Sequence, residues 1–187
     1  MAPAWVIANA GYDVWMGNNR GTTHSLGHVT YNHKKDREYW DFTWEQMGTF
    51  DTPAVIEYIQ KVTGAKKITM MGHSEGTTQV MAGAALMPDF YKERLNLAIF
   101  LAPPASLHNL SNLPTRLVSE PEIMDVIAEA ARSLNFLSWL PKSILTTGPE
   151  VAFCSLFDGK VCEYIIQFFM DGDSSTDDFS RRNVYLS

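Results

Sequence analysis

The sequence predicts an α/β fold, a partial parallel sheet with helices on its faces followed by a helical cap. Three observations predict it. Short runs rich in β-formers at residues 12–16 (YDVWM), 68–71 (ITMM) and 95–101 (LNLAIFL) alternate with helical stretches, and such alternation builds a parallel sheet. The pentapeptide Gly72-His73-Ser74-Glu75-Gly76, of the form G-x-S-x-G, stands where the second run gives way to a helix. After Pro104 the pattern changes to amphipathic helical spacing at 123–134 and 161–170, with no convincing strand. The expected division is a partial core over residues 1–104 and a helical cap or insertion over 105–187.

In chain order, residues 5–10 read as the last turns of a helix, with Gly11 as its stop. The YDVWM strand follows, then a polar loop, Gly17-Asn18-Asn19-Arg20-Gly21, whose residue types tolerate left-handed angles. Residues 22–35 hold His24, His28 and His33 with little periodicity and read as a long surface loop. Asp51 or Thr52 is expected to cap a helix with Pro53 in its first turn. Val55, Ile56, Ile59 and Val62 form its apolar face, and Gly64 ends it. The helix after the pentapeptide is expected over 77–87, with Ala82, Gly83, Ala84 and Ala85 letting it lie close to the sheet. Ala102-Pro103-Pro104 closes the last strand, and the acidic stretch 171–178 reads as loop.

The pentapeptide's context makes it a nucleophile elbow. The turn from strand to helix is so tight that Ser74 is expected at strained backbone angles. The positions two before and two after it are expected to lack room for a Cβ, so both are glycine. The strain presents the Ser74 hydroxyl at the top of the sheet. The helix N-terminus behind it offers free N–H groups and a positive dipole end to a developing oxyanion.

Composition excludes several other classes. The chain has 187 residues, with 45% hydrophobic and 19% charged residues and a formal net charge of −6, which suits one globular domain with a sizeable core. Lys66-Lys67 and Arg181-Arg182 are isolated pairs, too sparse for a nucleic-acid surface. No apolar run reaches the ~20 residues that cross a bilayer. The first twelve residues carry no cationic stretch followed by a long apolar run, so a signal peptide is not expected there. Cys154 and Cys162 are spaced for a local disulfide, and equally read as two buried thiols. Asn109-Leu110-Ser111 is a lone glycosylation sequon.

A serine hydrolase also needs a histidine to take the hydroxyl proton and a carboxylate to orient that histidine. In elbow folds both follow the serine in the chain. His108 is the one histidine downstream of Ser74, but it comes just after the 95–101 strand, too early for the base. His24, His28 and His33 break the order and read as solvated loop residues; His24 and His28 are four apart, but Gly21 and Gly27 argue for loop, so no metal site is expected. His73 is expected to point away from the hydroxyl and pack. The Glu75 backbone N–H is the candidate for one oxyanion donor, and its side chain reads as a first-turn carboxylate favoured by the helix dipole. The second donor normally comes from a loop after an earlier strand, which the reading places before Met1 or takes as missing.

Gly11 to Gly21 (GYDVWMGNNRG), Tyr39 to Glu45 (YWDFTWE), Asp51-Thr52-Pro53-Ala54, the elbow with Thr77-Thr78, and the closing Asn183-Val184-Tyr185-Leu186-Ser187 together resemble the acid lipase family of gastric, lysosomal and lingual lipases. The resemblance covers essentially the whole chain and is clearest from Gly11 to Pro104. It implies an α/β-hydrolase core with a helical lid, acting on neutral lipid esters such as triacylglycerols or cholesteryl esters. It implies Ser74 as nucleophile, the Glu75 backbone N–H as oxyanion donor, no cofactor and no metal. It further implies a secreted or lysosomal location, contact of the cap with a lipid interface, and a Cys154–Cys162 disulfide. The family usually has glutamine where this chain has Glu75. Its catalytic aspartate and histidine come from beyond the Tyr-Leu-Ser tail, so the expectation is an internal segment of such a lipase, nearly inactive alone.

Trp139, Phe153, Phe157, Phe168 and Phe169 suit an apolar lid, though each taken singly reads first as a residue packing the cap. A carboxylesterase or thioesterase, and a non-catalytic lipid-binding relative, are the competing functional readings; pocket size separates the first and the absent triad partners favour the second.

Overall fold

The computed structural model describes residues 3–106 and 120–133. The chain falls into two units, Met1–Ala105 and Ser106–Ser187. In the first, α1 (Pro3–Asn9) ends at Gly11, whose φ of +93° is the left-handed stop expected of it. In the second, the described element is one amphipathic helix, α6 (Pro121–Ser133), close to the span its spacing predicts. The expected helix at 161–170, the five cap aromatics, the sequon, the acidic stretch, His108 and both cysteines lie outside the described residues.

Residues 12–16 form no strand. A strand exists through its ladder, and no strand pairs with this stretch among the described residues; Tyr12, Trp15 and Met16 are exposed. The described sheet is two-stranded and parallel, β1 (Ile68–His73) beside β2 (Leu95–Leu101), from Ile68 opposite Leu95 to His73 opposite Leu101, with Asn96 bulged out near the start. Alternation splits β1 between two faces. Ile68, Met70 and Gly72 turn inward, and Leu95, Ala98 and Phe100 of β2 join them against a core centred on Ile56, Val80 and Tyr91.

The helix before β1 starts earlier than its sequence suggests. Thr43 caps α2 (Trp44–Gln46) in a reciprocal box: its hydroxyl accepts from Glu45 N, and its own N–H donates to Gln46 Oε1 at 2.8 Å. A π-helical turn, Met47–Asp51, carries α2 directly into α3 (Thr52–Thr63). Asp51 therefore has helical backbone angles and caps nothing. On α3, Ile56 and Ile59 are buried as expected, but Val55 and Val62 are exposed. Gly64 terminates α3 at φ +74°.

Pro53 explains the π turn. A proline inside a helix removes one N–H and crowds the preceding turn. The Thr52 N–H reaches back five residues to the Met47 carbonyl. Continuing that pattern, the Gly48 carbonyl would need the N–H that Pro53 lacks. The hydroxyl of buried Tyr91, on α5 (Pro88–Arg94), donates to it instead at 2.5 Å. Pro88 at the start of α5 makes the break from α4 (Glu75–Leu86).

Gly48 and Gly83 also let α4 approach the π turn closely. A Cβ on Gly48 would run into the Gln79 carbonyl and lie 2.9 Å from Gly83 N. A Cβ on Gly83 would strike the Tyr91 hydroxyl and the Gly48 carbonyl. The small residue at 83 thus serves helix-to-helix contact, where contact with the sheet was expected; Ala84 does pack beside the core residues next to the strands.

Gly83→Ala should destabilise the fold by about 1–3 kcal/mol, because Tyr91 and the π turn must shift. Gly76→Ala, where an added Cβ meets nothing within 4 Å, should be neutral or slightly stabilising. Urea unfolding midpoints of the two variants check this, and equal midpoints would refute the close-approach account.

Burial holds the Tyr91 hydroxyl above its ordinary value of 10.0, with a hydrogen bond that its oxygen accepts from the Thr52 side chain pulling the other way. The unfolded chain loses this proton near the ordinary value while the folded chain keeps it. The associated stability is full below pH 10 and declines as pH rises through the folded value. Urea midpoints between pH 9 and 11 should fall in the parent (on the order of one pH unit either side of the tyrosine range) and fall less steeply in Tyr91→Phe.

Candidate active site

β1 ends and α4 begins at Ser74, which has φ 50° and ψ −120°. That positive φ in a non-glycine residue is the strain the pentapeptide predicts. Three hydrogen bonds hold the corner. Ser74 N–H donates to the Leu101 carbonyl at 3.0 Å, stitching the turn to the end of β2. Thr77 donates to the Ser74 carbonyl twice, from its N–H at 2.9 Å and from its hydroxyl at 2.7 Å. Thr77 is fully buried, so these bonds are shielded from water, whereas Ser74 itself is exposed.

The two glycines differ in what they do. A Cβ on Gly72 would lie 2.8 Å from both the carbonyl carbon and oxygen of Gly76, so the start of α4 sits directly on the strand. The expectation that Gly76 also lacks room is wrong for the described residues: a Cβ there meets nothing within 4 Å. At the end of β2, Ala102 has φ 47°, a second strained non-glycine residue that sequence reading missed.

Glu75 is the first residue of α4, so its N–H has no intrahelical acceptor. Its carboxylate does not fold back over the helix end. Oε1 accepts from Gln79 Nε2, one turn further along, at 3.2 Å. Gln79 is 4% exposed and also takes part in two other contacts. Its Nε2 meets Met47 Sδ at 3.0 Å, and its Oε1 accepts from Asn19 Nδ2 at 2.9 Å. No sequence pattern pointed to Gln79; a glutamine four residues after a glutamate on one helix face is the signal that was available.

The loop carrying Asn19 is held by its next residue as well. Arg20 donates to Asp51 from Nε at 2.9 Å and from Nη2 at 2.6 Å, and from its backbone N–H at 3.1 Å. The guanidinium lies over the rings of Phe42 and Phe50, 5.7 and 5.9 Å from their centroids. Gly21, at φ +80°, leaves no room for a Cβ beneath Trp40 and Phe42. Four stretches distant in sequence, 17–21, 40–42, 50–51 and the elbow helix, thereby meet beside Ser74's helix.

His73 is exposed at the last position of β1, opposite Leu101. The loop histidines are more than solvated residues. His28 Nδ1 accepts from the N–H groups of Thr30 and Tyr31, and its ring stacks on Tyr31 at 5.0 Å. His28 and His33 both set their rings edge-on to buried Tyr39, and only His24 keeps to the expected solvated role. None of the three hydrogen-bonds Ser74 among the described residues. Within the same residues no three His, Cys, Asp or Glu side chains gather where a metal ion could sit, and no helix is long and apolar enough to cross a membrane.

Asp51→Asn should destabilise the fold by about 1–3 kcal/mol, the range for a charged hydrogen-bond pair reduced by the partial exposure of Arg20. Arg20→Lys should lose a similar amount, since an ammonium cannot make the two-pronged contact. Thermal melts of both variants test this; an unchanged midpoint in either removes the pair from the scaffold.

Comparison with known proteins agrees with this geometry. The α/β hydrolase fold family matches residues 4–147. The chain is 42% identical over 108 residues to a probable lipase of Schizosaccharomyces pombe, covering 58% of this chain and 24% of that protein. It is 30% identical over 186 residues to the lysosomal acid lipase/cholesteryl ester hydrolase of Rattus norvegicus, covering 98% and 45%. It is 29% identical over 184 residues to lipase member M of Mus musculus, covering 98% and 42%. The chain thus spans less than half the length of these relatives. A serine at positive φ between a parallel strand and a helix, seated on a crowded glycine, sits within the matched span, and the chain belongs to the α/β hydrolase fold family.

Proposed function

We propose that this chain carries the nucleophile of a serine ester hydrolase acting on neutral lipid esters. The observation that carries the reading is the strained backbone of Ser74 at the start of α4. An exposed hydroxyl on a rigid corner meets an ester carbonyl without first paying the entropy of ordering a loop. Ser74 Oγ attacks the carbonyl carbon, and its proton passes to a histidine. The oxyanion forms beside the helix N-terminus, where the Glu75 N–H donates to it. Collapse expels the alcohol, leaving an acyl-enzyme, and water then releases the fatty acid. The base and its orienting carboxylate are proposed to lie outside the described residues.

In this reading residues 105–187 are a helical cap segment carrying a Cys154–Cys162 disulfide, and triacylglycerols or cholesteryl esters are the substrates. The amphipathic α6 and the names of the relatives support it. A secreted or lysosomal location is part of the same proposal, and the name of the lysosomal relative supports it.

In the protein as its host makes it, Ser74→Ala should lower kcat on a short-chain nitrophenyl ester by on the order of 10⁴-fold or more, with the fold intact by circular dichroism. Covalent labelling by a fluorophosphonate should disappear with it. Turnover that survives the substitution would sink the reading.

A further inference from the structure

We propose that Gln79 is a positioning residue that keeps the Glu75 carboxylate away from the oxyanion site; the inference rests on the hydrolase reading of Ser74. A carboxylate at position 75 poses a problem for such a site. A first-turn carboxylate is drawn to the amides at its helix N-terminus. Those amides are the groups a developing oxyanion needs, and a negative charge beside them repels it.

The structure shows where the carboxylate goes instead. Gln79 Nε2 donates to Glu75 Oε1 at 3.2 Å, drawing it along α4 in the direction opposite to Ser74. The amide orientation follows from chemistry, because an ionised carboxylate only accepts and Nε2 must therefore face it. With Nε2 so placed, Gln79 Oε1 is left to accept from Asn19 Nδ2 at 2.9 Å, and it does. The second Nε2 proton goes to Met47 Sδ. Both donors and the acceptor of this buried amide are used, so rotating it breaks every contact at once. The tether is in turn fixed to the loop that Arg20 and Asp51 clamp. Gln79 touches neither Ser74 nor the oxyanion position, and acts through Glu75.

The test uses Gln79→Met, which keeps the length and removes the donors, in the natural background and with Glu75→Gln. On a short-chain nitrophenyl ester, Gln79→Met should lower kcat by roughly tenfold with KM within twofold, the scale of weakening one oxyanion donor in part. Relative to its own parent, the same substitution on Glu75→Gln should change kcat by less than twofold, a neutral amide carrying no charge to misplace. An equal loss in both backgrounds would make Gln79 merely structural and overturn the proposal. Should Gln79→Met not fold, Gln79→Glu keeps the shape while replacing donor by acceptor, with the same two-background comparison. A readout free of turnover is amide exchange at Arg20, whose N–H is bonded to Asp51 in the clamped loop. Gln79→Met should speed it by on the order of fivefold; unchanged exchange overturns the tether to Asn19. Loss of Ser74-dependent turnover in the unsubstituted protein would strike the hydrolase reading instead, and the exchange result would still decide the tether.

Discussion

The carbonyl of Gly48 is the point on which the described fold depends. Pro53 takes away the N–H that would have satisfied it, and the π turn presents it outward toward α4. Tyr91 satisfies it from α5, and bare Gly83 allows α4 to come close enough for that hydroxyl to reach. An unpaired carbonyl at this depth would cost as much as the loss of a buried hydrogen bond, so the three elements are fixed together. The helix whose first residue follows Ser74 is therefore anchored near its far end by a backbone group 26 positions before the serine.

The elbow needs such anchoring because its own geometry is unfavourable. A positive φ at Ser74 persists only where the surroundings over-determine it. Gly72 pressed against Gly76 excludes the relaxed path at one end, and the Thr77 bonds to the Ser74 carbonyl hold the other. The strain is thus distributed between a steric limit below and a polar clamp above, both rigid and both independent of any ligand.

How much of this was legible in the sequence varied with the range of the cause. Local causes read well. The G-x-S-x-G spacing gave the corner, Gly11 and Gly64 gave helix ends, and the apolar runs at 68–71 and 95–101 gave the two strands. Causes that act between distant residues did not. The stretch YDVWM has strand composition, yet a strand needs a neighbour to bond. Asp51 looks like a cap, yet its carboxylate is taken by Arg20, 31 residues earlier. Gly83 looks like a helix-to-sheet contact, yet its partner is another glycine. Gln79 shows in sequence only its spacing from Glu75; its other partners, Asn19 and Met47, stand 60 and 32 positions away.

The Arg20–Asp51 clamp has a consequence for how this chain can vary. It fastens both ends of the segment between them, which includes the 22–35 loop, to one rigid place beside the elbow helix. With the ends fixed by an ion pair, extra residues in the middle add only slowly to the closure entropy, about 0.6 kcal/mol for each doubling of length. That loop is consequently a permissive insertion point: a reporter peptide or a small folded module spliced near Val29, which is fully exposed, would leave the serine corner where it is.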